Sequence, residues 1–323
     1  MEKPSLARQT TLGSLFAALA LFGSVATAAP AQAECVHHAH RSAAHSHRGA
    51  GHHAGTRRAA ASSHAVARPA ESADSADQPD APDLPEMQVL KGPGFDTCRA
   101  PSLATMQAWY DSSAYRAVGI YIGGRNRACG GGHLTADWVS GASAQGWGLI
   151  PVYVGLQAPC VLQKGLAKMR AAHAEQEGAA DAADAAARAQ AYGLQPGSPI
   201  YFDLEAFNHG NRGCVSVVLA YIGAWTSELH ADGYYSAVYG SAASGMATLT
   251  RAVASRPSFD PPDAIWIARW DRRPKTADSS VPRDVWAHHQ RIKQYRGGHV
   301  ERHGGVGIDI DSDYVDGPVA LVY

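Results

Sequence analysis

The hydrophobic positions of this chain fall in short blocks separated by longer mixed stretches. Blocks rich in Val, Ile, Tyr and Phe occupy residues 94–96, 117–123, 148–155, 199–205, 234–241, 264–271, 288–295 and 307–311, and short apolar runs bounded by Gly, Pro, Asn or Asp read as strands. Between the early ones lie segments with helical spacing at 102–110, 135–145, 163–192 and 215–230, with a shorter one at 242–254. The third is Ala-rich and is expected to break at Gly178. Strands that are apolar on both faces and separated by helices imply a parallel sheet with right-handed crossovers, and eight of them imply a closed barrel. The second half differs, because residues 272–285 and 296–306 are rich in Pro, Gly and charge and too irregular for crossover helices. The pattern therefore predicts an α/β, TIM-like barrel whose outer helical ring is incomplete in its second half.

The pattern also marks what lies outside the barrel. Lys3 and Arg8 precede an apolar stretch, 12–25, that ends in small residues with two candidate cleavage sites, after Ala28 or Ala33. That is the layout of a secretory signal peptide over residues 1–33. No later segment offers the roughly 18 uninterrupted apolar residues of a spanning helix, so the expected product is exported, with no membrane span. Residues 34–91 are low in large apolar side chains: half of the 16 histidines lie between His37 and His64, and an acidic Pro-rich run follows from Glu71 to Glu86. Such a composition cannot offset the entropy of ordering. It reads as a solvated linker, and alternatively as a tail that binds metal through imidazole or anionic wall polymer through Arg and His. Residues 92–323 remain for one barrel domain, about the length such a barrel needs.

Within that domain, side-chain alternation decides which groups face the barrel axis. In "PIYFDLE" it puts Tyr201, Asp203 and Glu205 on one face and Ile200, Phe202 and Leu204 on the other. The apolar set belongs against helices, so the two acids look inward at the C-terminal mouth, where barrel enzymes collect their functional groups. "GPGFDTC" turns Asp96 inward and Phe95 outward, and "VGIDIDSDY" gives Asp309 and Asp311 a common face. A single strand-end Asp is as readily a helix cap. Three strand ends in phase are better explained by a shared site. Crowded carboxylates repel, so at least one should hold a raised pKa, as a general acid requires.

Aromatic and amide groups extend the set. Tyr239 ends "SAVYGS", Gln294 and Tyr295 end "IKQY", and "AIWIARWD" places Trp266 and Trp270 in one phase. Flat rings suit the apolar faces of sugars, and amides and acids bind hydroxyls; Trp266 reads as core and Trp270 as groove. Three other motifs fail. "DIDSDYVDG" has Tyr314 where a calcium loop needs Gly and Ala320 where it needs Glu. "HVERH", from His299 to His303, lacks Glu directly after its first His, and "YGSAASG" is not a nucleophile elbow. No metal and no cofactor is therefore expected. A formal net charge of −1 does not bear on nucleic acid, but the barrel segment has no basic patch interleaved with aromatics, so no such partner is expected. Beyond Cys35, the four cysteines Cys98, Cys129, Cys160 and Cys214 sit near strand ends and suggest two disulfides, with three pairings open.

The blocks "GFDTC", "AVGIYIGG", "GWGLIPVYVGLQAPC", "IYFDLEAF", "GYYSAVYGS", "IWIARWD" and "GIDID", in this order, resemble a secreted glycoside-hydrolase-like domain of unknown function, itself similar to family 25 lysozymes. That resemblance spans about Gly92 to Tyr323 and implies a barrel of five β/α units followed by three strands with little helix. It matches Glu205 to the proton donor, Asp203 to its partner, Asp96 to the first-strand acid and Asp309 or Asp311 to the last-strand acid.

Together these readings predict a monomeric glycosidase, exported and associated with the cell wall, acting on cell-envelope polysaccharide of the peptidoglycan type. Glu205, Asp203 and Asp96 are the catalytic candidates; Asp309, Asp311, Tyr239, Trp270, Gln294 and Tyr201 are the substrate-binding ones. Glu205 is expected to carry a pKa raised by its acidic neighbours and by burial. The competing class is a barrel that holds wall glycan without cutting it. The most prominent cavity should lie at the barrel mouth and contain Asp96, Asp203, Glu205 and Asp309 or Asp311. Pairing of neighbouring loops favours Cys98 with Cys129 and Cys160 with Cys214, leaving Cys35 free.

Overall fold

The computed structural model describes residues 84–323; the expected signal peptide, most of the linker and Cys35 lie outside them. Eight strands close a barrel in sequence order: β1 (Val89–Asp96), β2 (Ala117–Gly123), β3 (Gly148–Tyr153), β4 (Pro199–Leu204), β5 (Tyr235–Ser241), β6 (Ala264–Ala268), β7 (Arg291–His303) and β8 (Val306–Pro318). Strands β1 to β7 run parallel. β8 is antiparallel to both β7 and β1, so the sheet is mixed, which corrects the expectation of an all-parallel barrel.

Helices α1 (Leu103–Ser112), α2 (Ala136–Ala144), α3 (Ala174–Ala191) and α4 (Arg212–Ala231) fill the first four crossovers. Three begin on side-chain caps, with Ser102, Thr135 and Asn211 accepting from the N–H groups of Thr105, Trp138 and Cys214, which satisfies a donor that the helix itself cannot. α3 is shorter than its Ala-rich segment, since residues 163–170 are loop, and it does not break at Gly178. A Cβ there would lie 2.3 Å from the Tyr221 carbonyl oxygen on α4, so the glycine serves close helix packing. After β5 comes a π turn (Ala242–Met246) and the short α5 (Ala247–Ser255).

Two apolar layers follow from the alternation. Ala117, Ile150, Val152, Tyr201, Trp266, Ile292 and Val315 fill the barrel interior. Ile120, Ile200, Phe202, Leu204 and Val238 face outward against helix residues such as Trp109, Trp138, Ile222 and Trp225.

As expected, residues 272–285 form no helix, and the cause lies beneath them. The outward positions of β7 are Arg291 and Lys293, both buried. Arg291 donates to the carbonyls of Trp286, Pro282 and Val285, and Lys293 Nζ lies 2.8 Å from Asp271 and 3.5 Å from Asp278. A helix consumes its own carbonyls, whereas an irregular loop can present them. Residues 296–306 were expected to be irregular; instead they extend β7 and β8 into a hairpin. Its loop is Gly304–Gly305, with φ of +57° and +80° between the paired His303 and Val306, the two-residue turn whose positive φ values favour glycine.

Disulfides join Cys98 to Cys129 and Cys160 to Cys214, with Cα separations of 5.6 and 6.0 Å. Each ties neighbouring connections at the C-terminal end of the barrel, although Cys214 sits in the first turn of α4 and not in a loop.

Candidate active site

Asp96 is the last residue of β1, opposite Gly119 of β2 and Asp311 of β8. Its Oδ1 accepts from the Tyr121 hydroxyl at 3.0 Å and its Oδ2 from Gln294 Nε2 at 2.8 Å. Asp203 lies at the end of β4 beside Tyr239 of β5, and Glu205 follows, half-buried where Asp96, Asp203 and Asp311 are buried. A fully buried amide holds this pair: Gln157 donates through Nε2 to the Asp203 carbonyl at 2.7 Å and accepts at Oε1 from the Glu205 N–H at 2.9 Å. One side chain from the loop after β3 thus fixes the backbone between the two acids.

Gln294 is the hub of the mouth. Its Nε2 donates to Asp96 and, at 3.1 Å, to Asp311; its Oε1 accepts from Tyr239 at 3.0 Å and from Trp270 Nε1 at 2.8 Å. An amide is the side chain that can present two donors to carboxylates and an acceptor to ring N–H and O–H groups at once. Five of the expected residues, Asp96, Asp311, Tyr239, Trp270 and Gln294, therefore form one hydrogen-bonded set.

Loss of solvation dominates the electrostatics. Burial, then Glu205 and then Asp96, pushes the Asp203 carboxyl well above the usual range. Burial and then Asp96 push Asp311 up to about 8, against a hydrogen bond from the Gly298 backbone. The Tyr239 phenol is also raised, first by desolvation and then by Asp203, Glu205, Asp96 and Asp311. One hydroxyl thus feels all four carboxyls. Asp203 Oδ1 is buried and accepts no hydrogen bond among the described residues; such an atom inside a cluster of titratable groups is characteristic of binding and catalytic sites.

Two expectations are corrected. Tyr201 faces the barrel axis as expected but is wholly buried; its hydroxyl donates to the Pro318 carbonyl at 3.1 Å and its ring packs on Trp266. It is a core residue, because period-two alternation places it one layer below Asp203. Asp309 is exposed on the hairpin beyond the barrel rim, where its carbonyl accepts from Thr97. The last-strand acids inside the barrel are Asp311 and Asp313.

Asp313 is a residue that the sequence reading passed over. It is fully buried, and its Oδ1 accepts from Trp266 Nε1 at 3.0 Å, while its Oδ2 has no hydrogen-bond donor among the described residues. Burial, followed by Asp96 and Asp311, pushes Asp313 well above the usual range. The signal was the third acid in the "DIDSD" alternation, two positions beyond Asp311. Gln157 and Tyr121 had no comparable signal, since single polar residues after or within apolar strands are common.

A cavity lies beside the acids and not, as expected, around them. It measures about 340 Å³, is lined by Trp270, Arg272, Arg296, Gly297, Gly298 and His299, and does not contain the acids. It adjoins them, through Trp270 on Gln294 and through the Gly298 N–H on Asp311. The acids themselves are roofed by Tyr121, Tyr239 and Gln294, which reduces their opening.

A barrel with its functional groups at the C-terminal strand ends and a carboxyl cluster in its mouth defines a glycosidase-like class. The chain belongs to the family described as Rv2525c-like, glycoside hydrolase-like domain, whose model matches residues 107–315. No curated protein matches the sequence. Similar solved structures include the Mycobacterium tuberculosis Tat-secreted protein Rv2525c in complex with L-tartrate, at 16% identity over 70% of this chain and 96% of that one, TM-score 0.48. An uncharacterized B. stearothermophilus protein is 17% identical over 69% and 95%, TM-score 0.45. The catalytic domain of endolysin ply40 from bacteriophage P40 of Listeria monocytogenes is 14% identical over 70% and 93%, TM-score 0.42.

Proposed function

We propose that this protein is an exported glycoside hydrolase of the cell envelope, acting as a monomer on an N-acetylated, β-linked glycan of the peptidoglycan type. The observation that carries the reading is the cluster of carboxyls at the barrel mouth, with Asp96 and Asp311 on Gln294 and Asp203 and Glu205 held by Gln157 next to Tyr239, in a chain of a glycoside-hydrolase-like family. Glu205, the most accessible of the four, protonates the leaving oxygen. Asp203 accepts the N–H of the substrate acetamido group on its unpartnered Oδ1; as the acetamido oxygen bonds to the anomeric carbon, the glycosidic bond breaks onto the oxygen that Glu205 protonates, and a water that gives its proton back to Glu205 then opens the cyclic intermediate. Export is supported by the signal-peptide pattern of residues 1–33 and by the two disulfides. No helix among the described residues is long and apolar enough to cross a membrane.

The test is release of new reducing ends from purified peptidoglycan, with α-glucan and arabinogalactan in parallel. Glu205→Gln keeps shape but cannot deliver a proton, so cleavage should fall about 100-fold or more while glycan retention stays near wild type. One observation favours the second reading, a non-catalytic wall-binding barrel: Asp96, Asp203 and Asp311 are 2%, 6% and 3% exposed, little surface for a substrate ring. That reading stands, and the hydrolase falls, if wild type releases no reducing ends from any of these glycans and Glu205→Gln changes only retention.

A further inference from the structure

The cavity beside the acid mouth has a chemistry opposite to that of the mouth. Its walls come from the loop after β6 and from a distorted part of β7, where pairing with β8 slips between Gln294 and Arg296 and again between Arg296 and His299. Such bulges re-aim side chains and cluster beside functional sites. The Trp270 indole packs directly on Gly297, where an added Cβ would lie 2.4 Å from the ring. Trp270 is anchored through Nε1 to Gln294 yet stays 37% exposed. Arg272 is held at φ 59°, a region that non-glycine residues seldom adopt, with its N–H donating to the Tyr295 carbonyl at 2.9 Å. A strained residue at a cavity wall points to a role for its side chain.

The charge balance of the walls is positive. No described carboxylate pairs with the Arg272 guanidinium. Arg296 lies 3.5 Å from Glu301 in an exposed pair, and Glu301 is already engaged by His299, His303 and Tyr115. Asp311 reaches the cavity wall at the Gly298 N–H and is also held by Gln294. The cavity's volume of about 340 Å³ falls in the range of small-ligand sites, roughly 300–1,000 Å³, and suits one sugar ring.

We propose that this cavity is a subsite for a sugar bearing an oxyanion, a carboxylate or a phosphate, on the residue next to the one at the acid mouth. Trp270 supplies a flat surface for the ring, and Arg272 with Arg296 supplies forked donors for the anion. Among the mouth residues described above, an anionic group would meet four carboxyls and no cation. The cationic wall gives it a place and so sets the direction in which the chain lies. The inference rests on the glycan reading for the kind of ligand but not on cleavage.

Ligand-observed NMR titration of the full chain with D-glucuronate, glucose 6-phosphate, D-glucose and inorganic phosphate tests it. Wild type should bind one or both charged sugars about ten-fold or more tightly than glucose, and the better of the two identifies the anion. Arg272→Gly, which suits the backbone at this position, should abolish that preference while leaving the melting temperature equal or higher. Arg296→Gln should reduce the preference in part. The subsite is overturned if wild type prefers neither charged sugar to glucose, if Arg272→Gly keeps the full preference, or if inorganic phosphate binds as tightly as the sugars. Glu205→Gln should retain the preference, so loss of cleavage with intact charged-sugar binding bears on the general acid and not on the subsite.

Discussion

Strands β2 to β5 and strand β7 meet the same requirement, cover for the outer face of a barrel, with opposite chemistry. In the first group the outward residues are apolar, as at Ile120, Phe202 and Val238, and amphipathic helices close over them. On β7 they are Arg291 and Lys293, and the cover is a loop that supplies carbonyls and carboxylates. The missing helix is thus a consequence of what two strand positions demand, since a helix face of Leu and Val would leave two buried cations without partners. The same exchange frees the end of β7 to continue into the hairpin that bounds the cationic cavity.

The comparison can be broken most forcefully on the apolar side. Phe202→Ala removes a wholly buried ring packed on Tyr221 and Trp225 and should cost about 3–5 kcal/mol by denaturant unfolding. A cost under about 1 kcal/mol would mean that α4 is not what stabilises β4. On the charged side, Lys293→Met keeps the length but takes the buried cation from Asp271, while Asp278 keeps Arg269 at 2.7 Å and its hydrogen bonds from Ser280. Because Asp271 is partly solvated, the expected loss is smaller, about 2–4 kcal/mol. Adding Asp271→Asn should recover part of it, and no recovery would separate the loop from this ion pair.

An effect of the opposite sign belongs to β8. Asp313→Asn keeps an oxygen for Trp266 Nε1 and, like the protonated acid, carries no charge. Its folded-state pKa is raised, so wild type loses stability as pH climbs above the unfolded value of about 4, by at most about 1.4 kcal/mol per pH unit, until the folded pKa is reached. Asn has no such loss. The variant should therefore be more stable than wild type at pH 7, with the difference fading to nothing below about pH 4. A difference that persists unchanged at pH 3 would show that Asp313 acts through packing and not through its proton.

Much of this was legible along the chain. The eight strand blocks and the acids that end β1 and β4 follow from local composition and from period-two alternation, which operate over a few residues; the disulfide pairing follows from the order of the loops around the barrel. Three misreadings share another cause. Gly178 looked like a breaker because the backbone of α4 that it accommodates is 43 residues away in sequence. The hairpin was read as loop because polar residues dominate "RGGHVERHGG", although the paired glycines between alternating runs were a usable turn signal. Asp309 was placed in the site because alternation extends in phase past the barrel rim without marking where the barrel ends.

By itself the sequence determined the closed α/β barrel, the inward phase of Asp96, Asp203 and Asp311, and the gap in the helical ring, because each depends on which residues alternate and where charge interrupts an apolar face. Only the tertiary structure decided that β8 runs against its neighbours, that Gln294 gathers two acids and two aromatics, and that Asp313 is buried on Trp266. These depend on contacts between strands far apart in a chain that must close on itself, and strand direction, register and burial exist only once that closure has been made.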